Sequence, residues 1–271
     1  MPELPEVQTV VNYLRDDLVG ETITAIEPLW EKVLDNFNKS SINKNNNKLK
    51  ILKVWRRAKF IIIETDNNII AIHLRMTGKL FIVKDNIISK HCRAIILLKS
   101  GKKLIFEDTR KFGRIYFYKN MEIIDSKVGI EPLEKTFTKQ FLINGLKTRK
   151  RNIKYLLLDQ KFIAGLGNIY TDECLWISKI HPNSVSCRIP NAKIHKLHDS
   201  IRMVLYEALE SMGTTIISYS YVNGKSGNYS EKLRVFGRTG RKCLRCLFLI
   251  EKIRVAGRGT HLCRKCQKKY S

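Results

Sequence analysis

The chain has 271 residues, of which 50 are Lys or Arg and 25 are Asp or Glu, so its formal net charge is +25. This length can bury the core of one large domain or of two ordinary ones. The excess of positive charge attracts polyanions, most often nucleic acid, although a basic surface kept for solubility would have the same composition. No apolar run approaches the ~18 residues of a membrane helix, and the amino terminus lacks the pattern of a signal peptide. We therefore expect a cytoplasmic protein without a membrane partner.

The amino terminus, MPELPEV, places Pro2 and Glu3 before the first predicted helix, whose apolar residues recur at helical spacing over residues 7–18. Removal of Met1 would leave Pro2 with a free secondary amine, and an α-amine has a pKa of roughly 7.7–8.0. Such an amine can add to a sugar C1′ and form an iminium, which favours elimination of the 3′ and then the 5′ phosphate. Glu3 could donate and accept protons beside it. An ordinary terminal segment is the alternative interpretation.

Residues 50–118 are rich in short β-forming runs separated by turn signals, which predicts a sheet-rich sandwich or barrel. A polar segment of low complexity, NFNKSSINKNNNKLK, precedes them and is typical of a solvated loop. The segment WRRAKF sets Lys59 beside apolar strand residues. Two further segments, IHLRMTG and EDTRKFG, each end a strand with a turn and display Met76, Arg110 and Phe112. Met and Phe exposed beside Arg can wedge into a base stack, whereas burial in a core is the alternative.

Beyond GIEPLEKTFT the periodicity becomes helical, and we expect a linker near residues 126–136. Two predicted helices flank the turn GLGN, where exposed backbone N–H groups suit a nucleic-acid phosphate. Asn168 could both cap the second helix and reach that phosphate. A plain connection between helices is the alternative. The segment KTRKRNIK supplies a basic cluster that is expected to face phosphates: Arg149, Lys150, Arg151 and Lys154.

The last 35 or so residues carry four of the seven cysteines as two CxxC pairs with sixteen residues between them. This spacing suits tetrahedral zinc held by four thiolates, and such a closed set of ligands predicts a structural ion. The predicted ligands are Cys243, Cys246, Cys263 and Cys266. Arg258 lies between two glycines near the expected tip of a hairpin, where its guanidinium would be exposed. The other three cysteines are interpreted as ordinary thiols of a reducing compartment.

Taken together, these motifs resemble the bacterial formamidopyrimidine-DNA glycosylases, base-excision repair enzymes for oxidised purines. The resemblance runs through PELPEV, RRAKF, HLRMTG, DTRKFG, GIEPL, LLLDQ, GLGNIY, VFGRTGRKC and GRGTHLCRKC. It implies an α+β fold with an N-terminal β-sandwich domain (1–134), a helix-two-turn-helix domain (135–230) and a zinc β-hairpin finger (235–271). It also implies a monomer with one structural zinc ion that acts on damaged double-stranded DNA at the bacterial nucleoid.

The resemblance further implies a bifunctional enzyme that excises 8-oxoguanine and formamidopyrimidines and then cleaves the strand by β,δ-elimination. Pro2 would be the Schiff-base nucleophile and Glu3 the general acid and base. Lys59 would donate a proton in β-elimination, and Arg258 would do so in δ-elimination. The residues that fill the gap left by the flipped base would be Met76, Arg110 and Phe112. Further DNA contacts would be His91, Arg110, Arg149 and Asn168, and residues 219–233 would close over the damaged base.

Two features depart from the family pattern. DTRKFG carries Thr109 and Lys111 where a proline and an arginine are usual, and the loop YVNGKSGNYSEKL is only a loose match. One alternative is therefore an endonuclease VIII-like enzyme with the same chemistry on oxidised pyrimidines. The other is a non-catalytic zinc-ribbon DNA-binding protein, which would leave Pro2, Glu3 and Lys59 without roles.

Overall fold

The computed structural model describes residues 1–38, 49–83, 89–214 and 227–271. The chain divides into two compact units. The first comprises residues 1–126 and 212–227, and the second comprises 127–211 and 228–271. This division into two units does not test the three domain limits expected from the sequence, which stay a prediction. Among the described residues, no helix is long and apolar enough to cross a bilayer.

The first unit begins with helix α1, Leu4–Leu18. Glu3 is its N-cap, and the backbone N–H of Glu3 donates to Glu6 Oε2 at 2.8 Å, as in a capping box. The apolar stripe predicted from the sequence is buried along the whole helix. The predicted helix is therefore confirmed, and Pro2 and Glu3 precede its first residue, Leu4.

Eight antiparallel strands follow in the order β5-β7-β6-β1-β2-β3-β4-β8. Their bounds are β1 Thr22–Pro28, β2 Leu49–Arg57, β3 Phe60–Thr65, β4 Ile69–His73, β5 Gly78–Val83, β6 Cys92–Leu98, β7 Lys103–Asp108 and β8 Arg114–Tyr118. β1 and β2 pair at only two positions, Thr22 with Lys50 and Ile23 with Leu49. The strand order is open, and this short junction divides it into two halves of four strands.

One hydrophobic core joins both halves of the sheet with α1. It includes Ile23, Ile96 and Phe106 from one half, Ile51, Ile63 and Ile72 from the other, and Val7, Val11 and Leu14 from the helix. The outer face of β3, β4 and β8 is covered in part by a short helix, α2 (Glu122–Asp125), whose Ile124 is buried there. The predicted sandwich is thus confirmed.

The second unit is helical. Its helices are α3 Lys139–Lys147, α4 Ile153–Leu158, α5 Asn168–Ile177 and α6 Asn191–Glu210. Local chemistry fixes two of the starts: Thr138 Oγ1 accepts from Phe141 N at 3.0 Å, and Asn152 Oδ1 accepts from Lys154 N at 2.9 Å. The long α6 buries an apolar stripe, including Ile194, Leu197, Ile201 and Leu205, as its periodicity predicts.

A two-stranded hairpin near the carboxyl end completes the fold. Strand β9 is Glu251–Val255, and strand β10 is Arg258–Leu262. The two turn residues between them, Ala256 and Gly257, have positive φ angles of 51° and 71°. Both central residues of a type I′ turn have such angles, and this turn matches the twist of paired strands. Arg258, the first residue of β10, is exposed beside the turn, as predicted.

Candidate functional site

The start of the chain is buried, although Met1 itself is 45% exposed. Pro2 is buried, and Glu3 is only 2% exposed. The carbonyl of Glu3 accepts from Val7 N at 3.0 Å, so both backbone groups of Glu3 are bound to the first turn of α1. The two residues predicted to do the chemistry therefore have a fixed backbone at the beginning of a helix.

Glu6 extends this attachment to a distant part of the chain. Its Oε1 accepts from the backbone N–H of Thr214 at 2.8 Å and from Thr214 Oγ1 at 3.0 Å. Gly213 adopts φ +79°, and a Cβ at this position would lie 2.7 Å from Glu6 Oε1. Sequence reasoning missed Glu6, although the carboxylate pair at i and i+3 in PELPEV is the signal of a capping box.

Gly227 lies against Gly213. A Cβ on Gly227 would lie 2.2 Å from the carbonyl oxygen of Gly213, so the two backbones touch. The loop predicted to close over a damaged base, residues 219–233, lies partly between them. Its residues 219–226 are outside the described residues, and residues 229–232 form a short 3₁₀ turn.

Lys59 lies in the two-residue turn between β2 and β3 and is 5% exposed. Ala58, the other turn residue, has φ +53°. Arg56 fastens this turn to α1, since its Nη1 donates to the Ala58 carbonyl at 2.9 Å and its Nε donates to Gln8 Oε1 at 3.1 Å. The turn that carries Lys59 is thus attached to the helix that begins beside Glu3.

His73 ends β4 opposite Phe60, the neighbour of Lys59. Burial, together with the positive charges of Arg75 and Lys59, lowers the pKa of His73 to about 3. Its Nδ1 accepts from the backbone N–H of Arg75 at 3.0 Å. The imidazole is therefore neutral at neutral pH and adds no charge beside Lys59.

The structure brings Met76, Arg110 and Phe112 together at the ends of neighbouring strands. Arg110 Nη1 lies 3.3 Å from Met76 Sδ, and its guanidinium carbon lies 4.7 Å from the centroid of the Phe112 ring. Met76 is 37% exposed and Phe112 is 47% exposed, so neither side chain belongs to the core. We call these three residues the wedge cluster. His91 precedes β6 and is half-buried.

Asn168 is the first residue of α5, and Gly167 is the N-cap without a side-chain capping bond. The expectation that Asn168 caps the helix is therefore wrong, because its side chain turns elsewhere. Asn168 Nδ2 donates to the carbonyl of Gly259 at 2.9 Å, which places it beside the residue that follows Arg258. Gln160 shapes the preceding turn, since its Oε1 accepts from Gly165 N at 3.0 Å.

Lys154 does not face the surface, contrary to expectation. It is fully buried, and its Nζ donates to Asp172 Oδ1 at 2.6 Å and to Thr260 Oγ1 at 2.8 Å. Asp172 Oδ2 also accepts from His261 N at 2.8 Å. A buried ammonium needs such partners, and here they join α4 and α5 to strand β10. Lys154 thus supports the hairpin from inside.

Arg149 is exposed at the end of α3, as the prediction requires. Its guanidinium carbon lies 4.7 Å from the centroid of the Phe162 ring, and Nη1 donates to the Gly145 carbonyl at 2.6 Å. These two contacts hold the guanidinium against the surface of the second unit.

The four predicted zinc ligands converge. All four sulfur atoms lie within 4.8 Å of one another, with Cys243 and Cys266 at 3.9 Å and Cys246 and Cys263 at 3.4 Å. Zn–S bonds of ~2.3 Å in a tetrahedron place sulfurs roughly 3.8 Å apart, so this set fits one zinc ion. The Arg245 N–H donates to Cys243 Sγ at 3.5 Å. Four thiolates leave no position for water, and the zinc is structural.

Three family models match successive parts of the chain. A model of the formamidopyrimidine-DNA glycosylase N-terminal domain matches residues 1–115, a model of the H2TH domain of these proteins matches 128–220, and a model of the zinc finger found in FPG and IleRS matches 240–269. The formamidopyrimidine-DNA glycosylase of Pelotomaculum thermopropionicum is 41% identical over 274 residues, which cover 99% of each chain.

Two solved structures are similar over almost the whole chain. One is a complex between a Lactococcus lactis FPG mutant and a Fapy-dG containing DNA, with a TM-score of 0.92, 37% identity and coverage of 99% of this chain and 100% of that one. The other is the wild-type Lactococcus lactis FPG with an oxidized pyrimidine containing DNA, with a TM-score of 0.91, 36% identity and the same coverage.

Proposed function

The chain belongs to the formamidopyrimidine-DNA glycosylase family and is a DNA glycosylase of DNA repair, and we propose that it excises oxidised purines and then cleaves the strand as an AP lyase. The proposed substrates are 8-oxoguanine and formamidopyrimidines in duplex DNA. They agree with the Fapy-dG containing DNA bound to its Lactococcus lactis relative. We also expect this chain to be a bacterial protein that works as a monomer at the nucleoid.

The proposed chemistry begins at Pro2 once Met1 has been removed. The imino nitrogen attacks C1′ of the damaged nucleotide, the bond from C1′ to the base breaks, and the base leaves while the nitrogen loses its proton. The bond from C1′ to the ring oxygen O4′ then opens, O4′ takes a proton from Glu3, and the nitrogen lone pair completes the iminium. The resulting iminium draws electrons from the sugar, so that the 3′ phosphate and then the 5′ phosphate leave. Glu3 moves protons at the sugar, and Lys59 gives the proton of the first elimination. Glu3 and Lys59 are only 2% and 5% exposed, which supports these roles because little water can reach them and compete for the proton transfers.

The observation that carries the proposal is the wedge cluster, which lies in the same unit as Pro2, Glu3 and Lys59. An enzyme that acts on a base must first take it out of the stack, at a cost of about a few kcal/mol. Side chains that enter the vacated space offset this cost. A protein that only binds DNA would need neither the buried carboxylate of Glu3 near the amino terminus nor the exposed wedge cluster.

The second unit is proposed to contact the phosphate backbone of the DNA. Arg149 and Asn168 are proposed to contact phosphates, and Arg258 is proposed to give the proton of the second elimination. The zinc ion keeps the hairpin folded and takes no part in proton transfer. Exposure of Arg258 beside a rigid two-residue turn supports this assignment.

Oxidised pyrimidines are a second candidate substrate class. The observation in their favour is that the wild-type Lactococcus lactis relative is described in complex with an oxidized pyrimidine containing DNA. The two classes share all the chemistry above and differ only in the base that is recognised.

Borohydride trapping tests the proposal. The protein is incubated with one of two duplexes, the first carrying 8-oxoguanine opposite cytosine and the second carrying thymine glycol. Borohydride then reduces the iminium to a stable adduct. We expect rapid trapping on 8-oxoguanine, and a large loss of trapping in Pro2→Gly. Pro5→Ala, a change at the next proline of the same segment, is the matched control and should trap normally. Adducts with thymine glycol alone would favour the pyrimidine class, and absence of any adduct would refute the lyase.

A further inference from the structure

Asp108, the last residue of β7, is almost completely buried at 1% exposure. Its carboxylate is the acceptor for a group of hydrogen bonds at the edge of the sandwich. Oδ2 accepts from Phe112 N and from Gly113 N, both at 2.7 Å. Oδ1 accepts from Arg110 N at 3.1 Å and from the hydroxyl of Thr77. A single side chain therefore binds both segments that carry the wedge cluster.

The backbone of Asp108 reaches two more groups. Its N–H donates to the carbonyl of His91 at 3.0 Å, and its carbonyl accepts from Arg93 Nε at 2.8 Å. Met76 adjoins Thr77 in sequence. Asp108 thus binds Arg110, Phe112 and His91 directly, and it binds the neighbour of Met76.

The backbone of the turn after Asp108 is constrained at Lys111 and at Gly113. Lys111 has φ +58°, a left-handed conformation that favours glycine. Gly113 leaves no space for a side chain, because a Cβ there would lie 2.4 Å from Phe106 Cζ. Three of the four hydrogen bonds that the carboxylate accepts come from backbone N–H groups of this turn, and the fourth comes from the Thr77 hydroxyl. The turn therefore keeps its form even though Thr109 and Lys111 differ from the usual residues of the family.

We infer that Asp108 is a positioning residue for base expulsion: it holds Met76, Arg110 and Phe112 in their inserting arrangement before DNA binds. The inference rests on the proposed function. Asp108 touches none of the proposed reacting groups, so its effect is exerted through the wedge cluster alone. Loss of the carboxylate removes the acceptor of Phe112 N, Gly113 N and the Thr77 hydroxyl and one of the two acceptors of Arg110 N, which lets the turn move. Excision from a paired duplex then slows, whereas proton transfer at Pro2 and Glu3 continues.

The test compares Asp108→Ser, which removes the acceptor, with Asp108→Asn, which keeps one oxygen but sets an amide N–H₂ against the remaining donors. Asp125→Asn is the matched control, because Asp125 is an exposed carboxylate of the same unit that pairs with Arg57. Single-turnover excision of 8-oxoguanine paired with cytosine should fall about tenfold or more in Asp108→Ser and less in Asp108→Asn, since small misplacements of positioning groups have effects of this size. Asp125→Asn should match the wild type.

Two further substrates separate positioning from damage to the fold. A single-stranded oligonucleotide with a preformed abasic site needs no base expulsion, so borohydride trapping by both Asp108 variants should stay within about twofold of the wild type. In a duplex with 8-oxoguanine opposite an abasic site, no partner base is left for the wedge cluster to contact. On that duplex the excision defect should largely disappear.

The outcomes are distinct. Wild-type excision rates in both Asp108 variants would overturn the inference, and so would an equal loss of single-strand trapping, which would make Asp108 a residue of general fold stability. If Asp108→Ser does not fold, Asp108→Asn decides between these results. Failure of the wild type to form any adduct would instead remove the proposed lyase itself.

Discussion

Lys154 shows how strongly the burial of one side chain governs its role. Its position in the basic segment KTRKRNIK predicts a phosphate contact, yet its ammonium is enclosed between Asp172 and Thr260. The acid that pairs with it lies 18 residues further along the chain, and the hydroxyl lies 106 residues away. Local sequence contains no signal of partners so distant.

Removal of one member of this buried pair should be costly. We expect Lys154→Met to lower the free energy of unfolding by about 3 kcal/mol, because Asp172 is left as an unpaired buried charge. Adding Asp172→Asn should restore part of the loss. Lys139→Met is the matched control, since Lys139 pairs with Asp199 at the surface and such pairs contribute about 0–1 kcal/mol. Urea unfolding measures all three, and equal losses for Lys154→Met and Lys139→Met would contradict the argument.

His73 should make stability depend on pH. Its folded pKa of about 3 lies below the ordinary value of 6.5, so the unfolded chain binds the extra proton between these values. Stability from this residue is present above the ordinary pKa and is lost as the pH falls toward 3. Between about pH 7 and about pH 5 the loss should be about 2 kcal/mol.

Substitution of His73 should remove that part of the pH dependence. In His73→Asn the amide oxygen can still accept from Arg75 N, but nothing titrates, so unfolding free energy should fall less on acidification than in the wild type. His195→Asn, at an exposed position of α6, is the control. An unchanged pH slope in His73→Asn would show that its imidazole does not control acid stability.

At the scale of elements, most of the framework was predictable because periodicity is a local property. The buried stripe of α1, the seven strands from β2 to β8 and the helices α4, α5 and α6 agree with their sequence patterns. The sequence does not predict strand β1, since TITAIEP has no strict alternation of apolar and polar residues and only Ile23 and Ile26 of its seven residues are buried. The pairing of Glu6 with Thr214 and that of Asp108 with Thr77 depend on tertiary contacts that no pattern within a segment contains.

The hairpin element should separate the function of Arg258 from that of the zinc. Arg258→Ala removes an exposed side chain whose backbone pairs with Val255, so one zinc per chain should be retained while the second elimination slows. Metal content by a chromogenic chelator and the ratio of β- to δ-elimination products measure the two effects. Loss of zinc from Arg258→Ala would make this residue part of the fold instead.

At the scale of the whole molecule, a net charge of +25 should make DNA binding depend steeply on salt. Each cation that meets a phosphate adds about 0.9 to the slope of log affinity against log salt concentration. We expect Arg149→Ala to weaken binding to undamaged duplex and to reduce the slope by about one.

Lys102→Ala is the comparison for this salt experiment, because Lys102 already pairs with Asp17 at 2.9 Å. Its slope should match that of the wild type. A slope in Arg149→Ala that is also unchanged would show that Arg149 meets no phosphate.

The contact between Gly213 and Gly227 has a consequence for how this enzyme could change over time. Since these two glycines touch, the stretch between them starts and finishes at one fixed point, whatever its length. Closing a longer chain between fixed ends costs only about 0.6 kcal/mol per doubling. Because Thr214 also binds Glu6, insertions, deletions or exchange of the chain between Thr214 and Gly227 should be tolerated without altering the fixed backbone at the beginning of α1.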